Sequence, residues 1–379
     1  MINYQKREWP VLSTEAEISV CCPDGKVSEC HVMIRLTDSK CDAAEQFQRI
    51  ETTIQLLQKH LQETDLVWKR YFVSDAVNQS GFINSSDNHS AVSIVQQPPL
   101  DGTKVAVWLY FVSNAIVTGN LYGTVLSHST YRHLYHTQIY SQGADVANQT
   151  EKMFDEYVQR LSAQGCTLKE HCMRTWVFVQ NVDTHYAGMV AARRSYFERE
   201  GLTKDTHFIA STGIEGKFIF PDTLVFMDAY AILGLVQEQI QYLCAPTHLN
   251  PTHQYGVTFE RGTIVQYGDR RHIYISGTAS INNRGEIEHP RNLIKQTDRM
   301  FENIRSLLDE ADADINDAMH LIVYLRDIAD YEVIASYMKQ HYPLIPRVIV
   351  WAPVCRPGWL VEAECMAIKR IGDKRFADF

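Results

Sequence analysis

The pattern of apolar and polar positions is sharpest toward the C-terminus, where apolar runs at 346–351 and 359–368 flank the turn signal Cys355-Arg356-Pro357-Gly358. Val, Ile, Leu and Trp on either side of Pro and Gly predict two strands. Period-two alternation sorts the second one. Val361, Ala363, Cys365 and Ala367 share a face suited to lying beneath helices, while Leu360, Glu362, Glu364 and Met366 share the other. Upstream, Leu293, Met300, Ile304, Leu307 and Leu308 recur at helical spacing. A short opening run at 258–261, strands over 272–276 and 318–325, a turn-rich insert at 281–285 and a second helix over 331–341 complete the unit.

The same order occurs twice more. In 113–235, His133-Leu134-Tyr135-His136 parallels His272-Ile273-Tyr274-Ile275, Gln149-Thr150 parallels Gln296-Thr297, and 177–181 parallels 323–327. A helix over 185–198, an extended segment at 208–213 and a last strand over 223–233 follow. In 15–112 the pattern is fainter: Phe47, Ile50, Ile54 and Leu57 mark the helix, 70–75 matches the middle strand, and 92–95 and 105–112 echo the closing hairpin. A linker over 236–254, with a short apolar helix at about 235–243, leads to the third copy at 255–371. Each copy reads β-β-α-β-α-β-β, an α+β layer with helices on one face of a sheet. Three such layers in one chain predict a single-chain pseudo-trimer, each sheet covering its open face against the other two.

Composition narrows the function. A balance of 36 basic against 45 acidic residues, with no basic stripe, disfavours nucleic acid as partner. No apolar run approaches the roughly 18 residues that span a bilayer. Nine cysteines without framework spacing read as reduced thiols, so a cytoplasmic location is expected. There is no Gly-rich phosphate loop. His133 and His136, three apart on a strand, point to opposite faces, so no metal is expected. No cofactor is expected either.

The chemistry concentrates in the closing hairpin. Two carboxylates on one face of an apolar strand need a partner, because an unpaired buried charge is costly. Arg347 is the nearest cation in sequence, and its planar fork suits a carboxylate held through two hydrogen bonds. Glu362 is expected to pair with Arg356 or a neighbouring chain segment, with proton carriage by Glu362 as the alternative. Cys355 has no His at a telling spacing and reads as an inert thiol.

The run 268–368 resembles the Rid family, also called YjgF or L-PSP endoribonuclease-like. The matching landmarks are Ile275-Ser276-Gly277, Gln296-Thr297 with Asn303-Ile304, Val323-Tyr324-Leu325-Arg326-Asp327, the Arg347 strand and Gly358-Trp359-Leu360-Val361-Glu362-Ala363-Glu364. The resemblance implies homotrimer-like packing with sites between units. It implies an Arg347 that grips the substrate's carboxylate, a Glu364 linked to water activation, and hydrolysis of 2-imino or enamine acids to 2-keto acids and ammonia. Ile349, Ala329 and Cys355-Arg356-Pro357-Gly358 depart from the family pattern.

Those departures, with Thr258-Phe259-Glu260-Arg261-Gly262-Thr263, Ile275–281 and Ala210-Ser211-Thr212-Gly213-Ile214, resemble the chorismatases, single-chain relatives that remove pyruvate from chorismate. That resemblance implies Glu364 as the acid, Arg347 as carboxylate clamp and Cys355 as pocket wall, with Tyr255 and Ser276 contacting substrate. An acid role requires a raised pKa, expected from burial among Trp351 and Trp359. Ala210 stands in the place of Arg347 and Tyr230 in that of Glu364 in the second copy. The first copy has Ala91 or Val92, and Trp108. One site, in the third copy and completed by loops of a neighbour, is therefore expected, acting on a small carboxylate metabolite. A non-catalytic binding module and, more weakly, a ribonuclease are the other classes.

Overall fold

In the computed structural model, which describes residues 2–61, 63–83, 89–120 and 123–379, three sheets follow one another along the chain. The first copy comprises β1 (Asn3–Trp9), β2 (Thr14–Cys21), β3 (Ser28–Leu36), α1 (Ala43–His60), β4 (Thr64–Val73), α2 (Ala76–Gln79), β5 (Ala91–Gln96) and β6 (Val105–Ser113). The second comprises β7 (Ile116–Asn120), β8 (Gly123–His128), β9 (Tyr131–Tyr140), α3 (Val146–Ser162), α4 (Leu168–His171), β10 (Cys172–Val179), α5 (Val182–Arg199), β11 (Ala210–Glu215) and β12 (Val225–Leu233). The third comprises β13 (Ile240–Leu243), β14 (Gly262–Gln266), β15 (Arg271–Ala279), α6 (Leu293–Glu310), β16 (Ala318–Leu325), α7 (Tyr331–His341), β17 (Arg347–Trp351) and β18 (Val361–Lys369). Each sheet has six strands, with its first three followed across the sheet by the sixth, fourth and fifth. Only the last pair in each is parallel.

The copies are built from the same local devices. The side chains of Asp42, Asp145 and Asn292 each accept the N–H three residues on, capping α1, α3 and α6. One residue later in each helix a buried glutamine, Gln46, Gln149 or Gln296, accepts the N–H of the residue that precedes the sheet's last strand, at 2.8, 2.8 and 2.9 Å. The middle strands β4, β10 and β16 each shift register at the same place, after Leu66, Cys172 and Ala318. The α+β repeat architecture is thus repeated down to single hydrogen bonds.

Alternation decides which side chains meet the helices. On β6, Val105, Val107, Leu109 and Phe111 pack with Phe47, Ile50, Ile54 and Leu57 of α1, while Ala106, Trp108, Tyr110 and Val112 face a common core. There the sheets meet pairwise through rings: Trp68 with Trp176 at 5.7 Å, Trp108 with His320 at 4.3 Å, Tyr230 with Tyr274 at 5.5 Å. Three buried ion pairs run round the same core. Arg70 of the first copy meets Asp228 of the second at 2.8 Å, Arg174 of the second meets Glu364 of the third at 2.8 Å, and Arg270 of the third meets Glu29 of the first at 2.7 Å.

Two details differ from the sequence reading. Each sheet gains an opening strand (β1, β7 or β13) missing from the β-β-α-β-α-β-β formula. The apolar stretch 235–243 is no helix: after a 3₁₀ turn at Gln237–Gln239 it forms β13, because Ile240–Leu243 find a ladder along β14. Tertiary pairing outweighs local propensity there. Among the described residues no helix is long and apolar enough to cross a membrane.

Breaking one pair should show how strongly the ring of charges holds the sheets. Arg70 and Asp228 are both fully buried, so Asp228→Ala, which strands the guanidinium, is expected to cost about 3–5 kcal/mol in urea unfolding, and Arg70→Met combined with Asp228→Leu should restore most of it.

Candidate functional site

The strand ladders fix which residues are equivalent. Measured from the ends of β4, β10 and β16, Glu364 matches Asp228 and Trp108, and Glu362 matches Phe226 and Ala106. Arg347 matches Ser211 and Val92. The sequence reading placed Ala210 and Tyr230 in those positions. Paired ladders correct it to Ser211 and to Asp228, so the second copy does carry a carboxylate where the third has Glu364.

Glu364 belongs to the clasp between the second and third copies. Its carboxylate is 2 % exposed and takes hydrogen bonds from Arg174 Nη2 at 2.8 Å, Trp176 Nε1 at 2.6 Å and Thr212 Oγ1. Thr212 in turn accepts from Arg174 at 2.5 Å and from the Gly277 N–H at 2.9 Å. Asp228 is held the same way by Arg70, Ser93 and the Gln138 N–H. A carboxylate so fully engaged has little left for a substrate.

Nor does Arg347 meet Glu364. Its Nη1 donates to the carbonyls of Tyr342 and Ile345 at 2.8 and 3.1 Å, and its backbone N–H donates to Glu17 of the first copy at 3.0 Å. It lines a crevice with Arg35, Asp101 and Ala106, where the first copy has alanine in the place of Glu362. Trp351 lies on the same side, its backbone bonded to Pro98 and its indole N–H to the Arg326 carbonyl. The expected Arg347–Glu364 pair is split between two interfaces, because a strand at a sheet's edge and the strand beside its centre face different neighbours.

Glu362, two residues earlier on the same face, opens into a chamber between the second and third copies. Its neighbours there include Tyr186, Arg193 and Ser211 from one side, and Tyr255, Arg261, Cys355, Arg356 and Trp359 from the other. Glu362 is buried, and among the described residues no cation or hydrogen-bond donor reaches its carboxyl group. Arg356, its expected partner, lies instead over the rings of Tyr255 and Trp359 at 4.7 and 5.0 Å. Burial first, and then the negative charge of Glu364, push the Glu362 carboxyl up to about 8, against the pull of Arg174 and Arg261. Gly277 leaves room here: a Cβ would meet the Glu362 carboxyl and push it aside.

Lining the same chamber is Arg193, 2 % exposed on α5, whose Nη1 makes a 3.5 Å contact with Ser211 Oγ and whose Nε and Nη2 have no partner among the described residues. Burial depresses its pKa. Arg261 bonds neutral oxygens, among them those of Asn250 at 3.0–3.4 Å. Among the described residues none of Arg193, Arg261 and Arg356 pairs with a carboxylate, an unusual surplus in a chain of net charge −9. Cys355 shares a hydrogen bond with Tyr186, and burial pushes its thiol up to about 12, which leaves it protonated and inert.

Of the residues singled out from sequence, Glu362, Tyr255 and Cys355 line the chamber, with Trp359 beside them. Ser276 braces it from beneath, accepting from the Ser211 N–H at 2.9 Å and donating to the Glu260 carbonyl at 2.6 Å. Sequence reasoning missed Arg193, Arg261 and Tyr186. One signal was available for Arg193: it sits among Met189, Val190, Tyr196 and Phe197 on the buried stripe of α5, where an arginine is out of place.

Known proteins resemble this chain in sequence and in fold. The family model "Endoribonuclease L-PSP" matches residues 262–369. A RutC family protein of Pyrococcus abyssi is 34% identical over 102 residues, 26% of this chain and 78% of the relative. A 3-aminoacrylate deaminase RutC of Acinetobacter baylyi is 27% identical over 99 residues, 25% of this chain and 77% of the relative. Among solved structures, a chorismatase superposes with TM-score 0.63 over 80% of this chain and 92% of its own, at 17% identity, a likeness of fold.

The two glutamates should separate by stability. Because its folded-state pKa is raised, ionising Glu362 penalises the folded chain, a penalty that grows as pH rises from 4.5 and levels off above about 8. Glu362→Gln removes it, so the variant should gain stability relative to wild type across that interval in urea titrations. Glu364→Gln, which leaves Arg174 unpaired, should lose about 3–5 kcal/mol at neutral pH.

Proposed function

The chain belongs to the Rid family, that of the endoribonuclease L-PSP domain and the RutC proteins, and from that premise we propose that it hydrolyses a small acid bearing an enamine or imine, with Glu362 as proton donor and Arg193 as carboxylate clamp. One observation carries the reading: a buried carboxyl group whose pKa is pushed up to about 8 shares a chamber with a buried guanidinium whose Nε and Nη2 have no partner among the described residues. Each supplies what the other's chemistry needs. A substrate carboxylate on Arg193 relieves an unpaired buried charge, whose cost is otherwise several kcal/mol. It also places the electron-rich carbon of the enamine before a neutral acid.

Glu362 gives its proton to that carbon, leaving an iminium at its neighbour. Water adds to the iminium carbon and returns a proton to the Glu362 carboxylate, and the carbinolamine collapses to a keto acid and ammonia. The protein's part is a positioned acid and a fixed cation, and no cofactor is needed. General acid catalysis of this kind contributes roughly 10²–10⁴ in rate. Glu364, Arg174 and Thr212 hold the acid's strand, and the negative charge of Glu364 helps keep Glu362 protonated.

A second reading follows from the number of cations. Three arginines exceed what one carboxylate requires and suit a dicarboxylate such as chorismate. The same proton would then go to the methylene carbon of an enol ether, and water would complete the release of pyruvate and an alcohol. The chorismatase fold likeness supports it.

Both are tested by assaying the purified protein with 2-aminoacrylate generated in situ and, separately, with chorismate, following ammonia and pyruvate. Ammonia above the spontaneous rate favours the first reading, and pyruvate from chorismate the second. In either case Glu362→Gln should lower kcat by about 10²–10⁴, Arg193→Met should raise KM, and Arg347→Ala should leave both nearly unchanged. Because the acid must be protonated, activity should be full below about 8 and lost as pH rises through that value. Unimpaired turnover by Glu362→Gln would refute the assignment. Silence on both substrates with carboxylates still bound through Arg193 would make the protein a binding module.

A further inference from the structure

The reaction chamber is small. Its volume of about 40 Å³ takes only about three water-sized groups, at roughly 10–15 Å³ each. That is enough for the carboxylate and the reacting carbons of an acid, and no more. Directly behind Arg261 lies a second, larger cavity of about 270 Å³, open to solvent. It is framed by the loop that follows α5 and by the segment between β13 and β14. Its walls are mainly apolar and aromatic: Phe208, Leu243, Leu249, Pro246, and Tyr242 stacked on His207 with centroids 4.7 Å apart and planes 11° from parallel.

Arg261 is common to both cavities. Its guanidinium lies 5.3 Å from the Tyr255 ring and 5.4 Å from the Phe259 ring, which line the chamber, while its N–H groups hold Asn250, which lines the outer cavity. Arg261 is the residue that lines both, and its guanidinium is anchored to neutral oxygens. Taken with the chamber, the outer cavity reaches the roughly 300–1,000 Å³ in which ligand sites fall. The two differ in character: arginines and Glu362 inside, and outside an aromatic and aliphatic wall beside the polar Lys204, His253 and Glu260.

We infer that the outer cavity is a subsite for a ring-sized apolar group on the substrate, so that the acid turned over carries an aromatic or similarly flat side group rather than a short one. The inference rests on the chamber being the carboxylate site. The carboxylate sits on Arg193 and Arg261, the reacting carbons face Glu362, and the ring passes Arg261 to lie between Phe208 and the Tyr242–His207 stack. Solvent access to the outer cavity supplies the way in.

Binding of pyruvate and phenylpyruvate, measured by titration calorimetry on the full chain, tests this without turnover. Burying a phenyl ring should make phenylpyruvate bind roughly 30-fold tighter than pyruvate. Cys244→Trp and, separately, His253→Trp fill the outer cavity from exposed wall positions. Each should bring the ratio below about threefold while leaving pyruvate affinity unchanged, and Arg193→Met should weaken both acids. Equal affinity of the wild type for the two acids, or a ratio that survives both tryptophans, would overturn the subsite alone. Failure of the wild type to bind either acid, or indifference of both to Arg193→Met, would overturn the carboxylate site and the subsite with it.

Discussion

The arrangement depends on three buried ion pairs, Arg70–Asp228, Arg174–Glu364 and Arg270–Glu29, each with its cation in one copy and its anion in the next. Unlike the aromatic contacts beside them, they do not tolerate sliding. A lone charge buried in a low-dielectric core is costly, and only the register that matches all three leaves none alone. The pairs turn three similar layers into one defined assembly. Hydrogen bonds through Thr212 then carry that definition to the Gly277 N–H, beside which the Glu362 carboxyl lies.

The same constraint explains why the site is built around Glu362. Two carboxylates two residues apart on one strand face share an environment, yet their fates diverge. Glu364 falls at the position every copy uses for its central contact, where its equivalents are Asp228 and Trp108. Glu362 falls one step outward, in the crevice between copies, where its equivalents are Ala106 and Phe226. Only the crevice between the second and third copies has an acid there, and only that one gains arginines from α5 and from the segment around β14. The clasp also tunes the site, since the charge of Glu364 raises the Glu362 pKa. Structure and chemistry are divided between neighbouring glutamates.

Much of this was legible in the sequence, for identifiable reasons. Period-two alternation put Glu362 and Glu364 on one face and Val361 and Ala363 on the other. Repeated landmarks such as Gln149-Thr150 and Gln296-Thr297 exposed the copies because a buried glutamine performs the same two-sided bonding in each. Cys355 was found because it lies in the turn of the hairpin, and Tyr255 because of the family resemblance. The partners were not found. Arg174 and Arg193 stand far from Glu364 and Glu362 along the chain, and one-dimensional proximity favoured Arg347, which a sheet edge turns toward another copy. Strand register was the missing quantity: only the paired ladders put Ser211 rather than Ala210, and Asp228 rather than Tyr230, in the places of Arg347 and Glu364.

The central claim is that Glu362 is a protonated acid at neutral pH. The infrared difference spectrum between wild type and Glu362→Gln reads it directly, through the carbonyl stretch of an un-ionised carboxyl group. The account predicts a band present at neutral pH, absent from the variant, and lost on titration with a midpoint near about 8. No such band at neutral pH, or a band that Glu364→Gln removes and Glu362→Gln leaves, would contradict it.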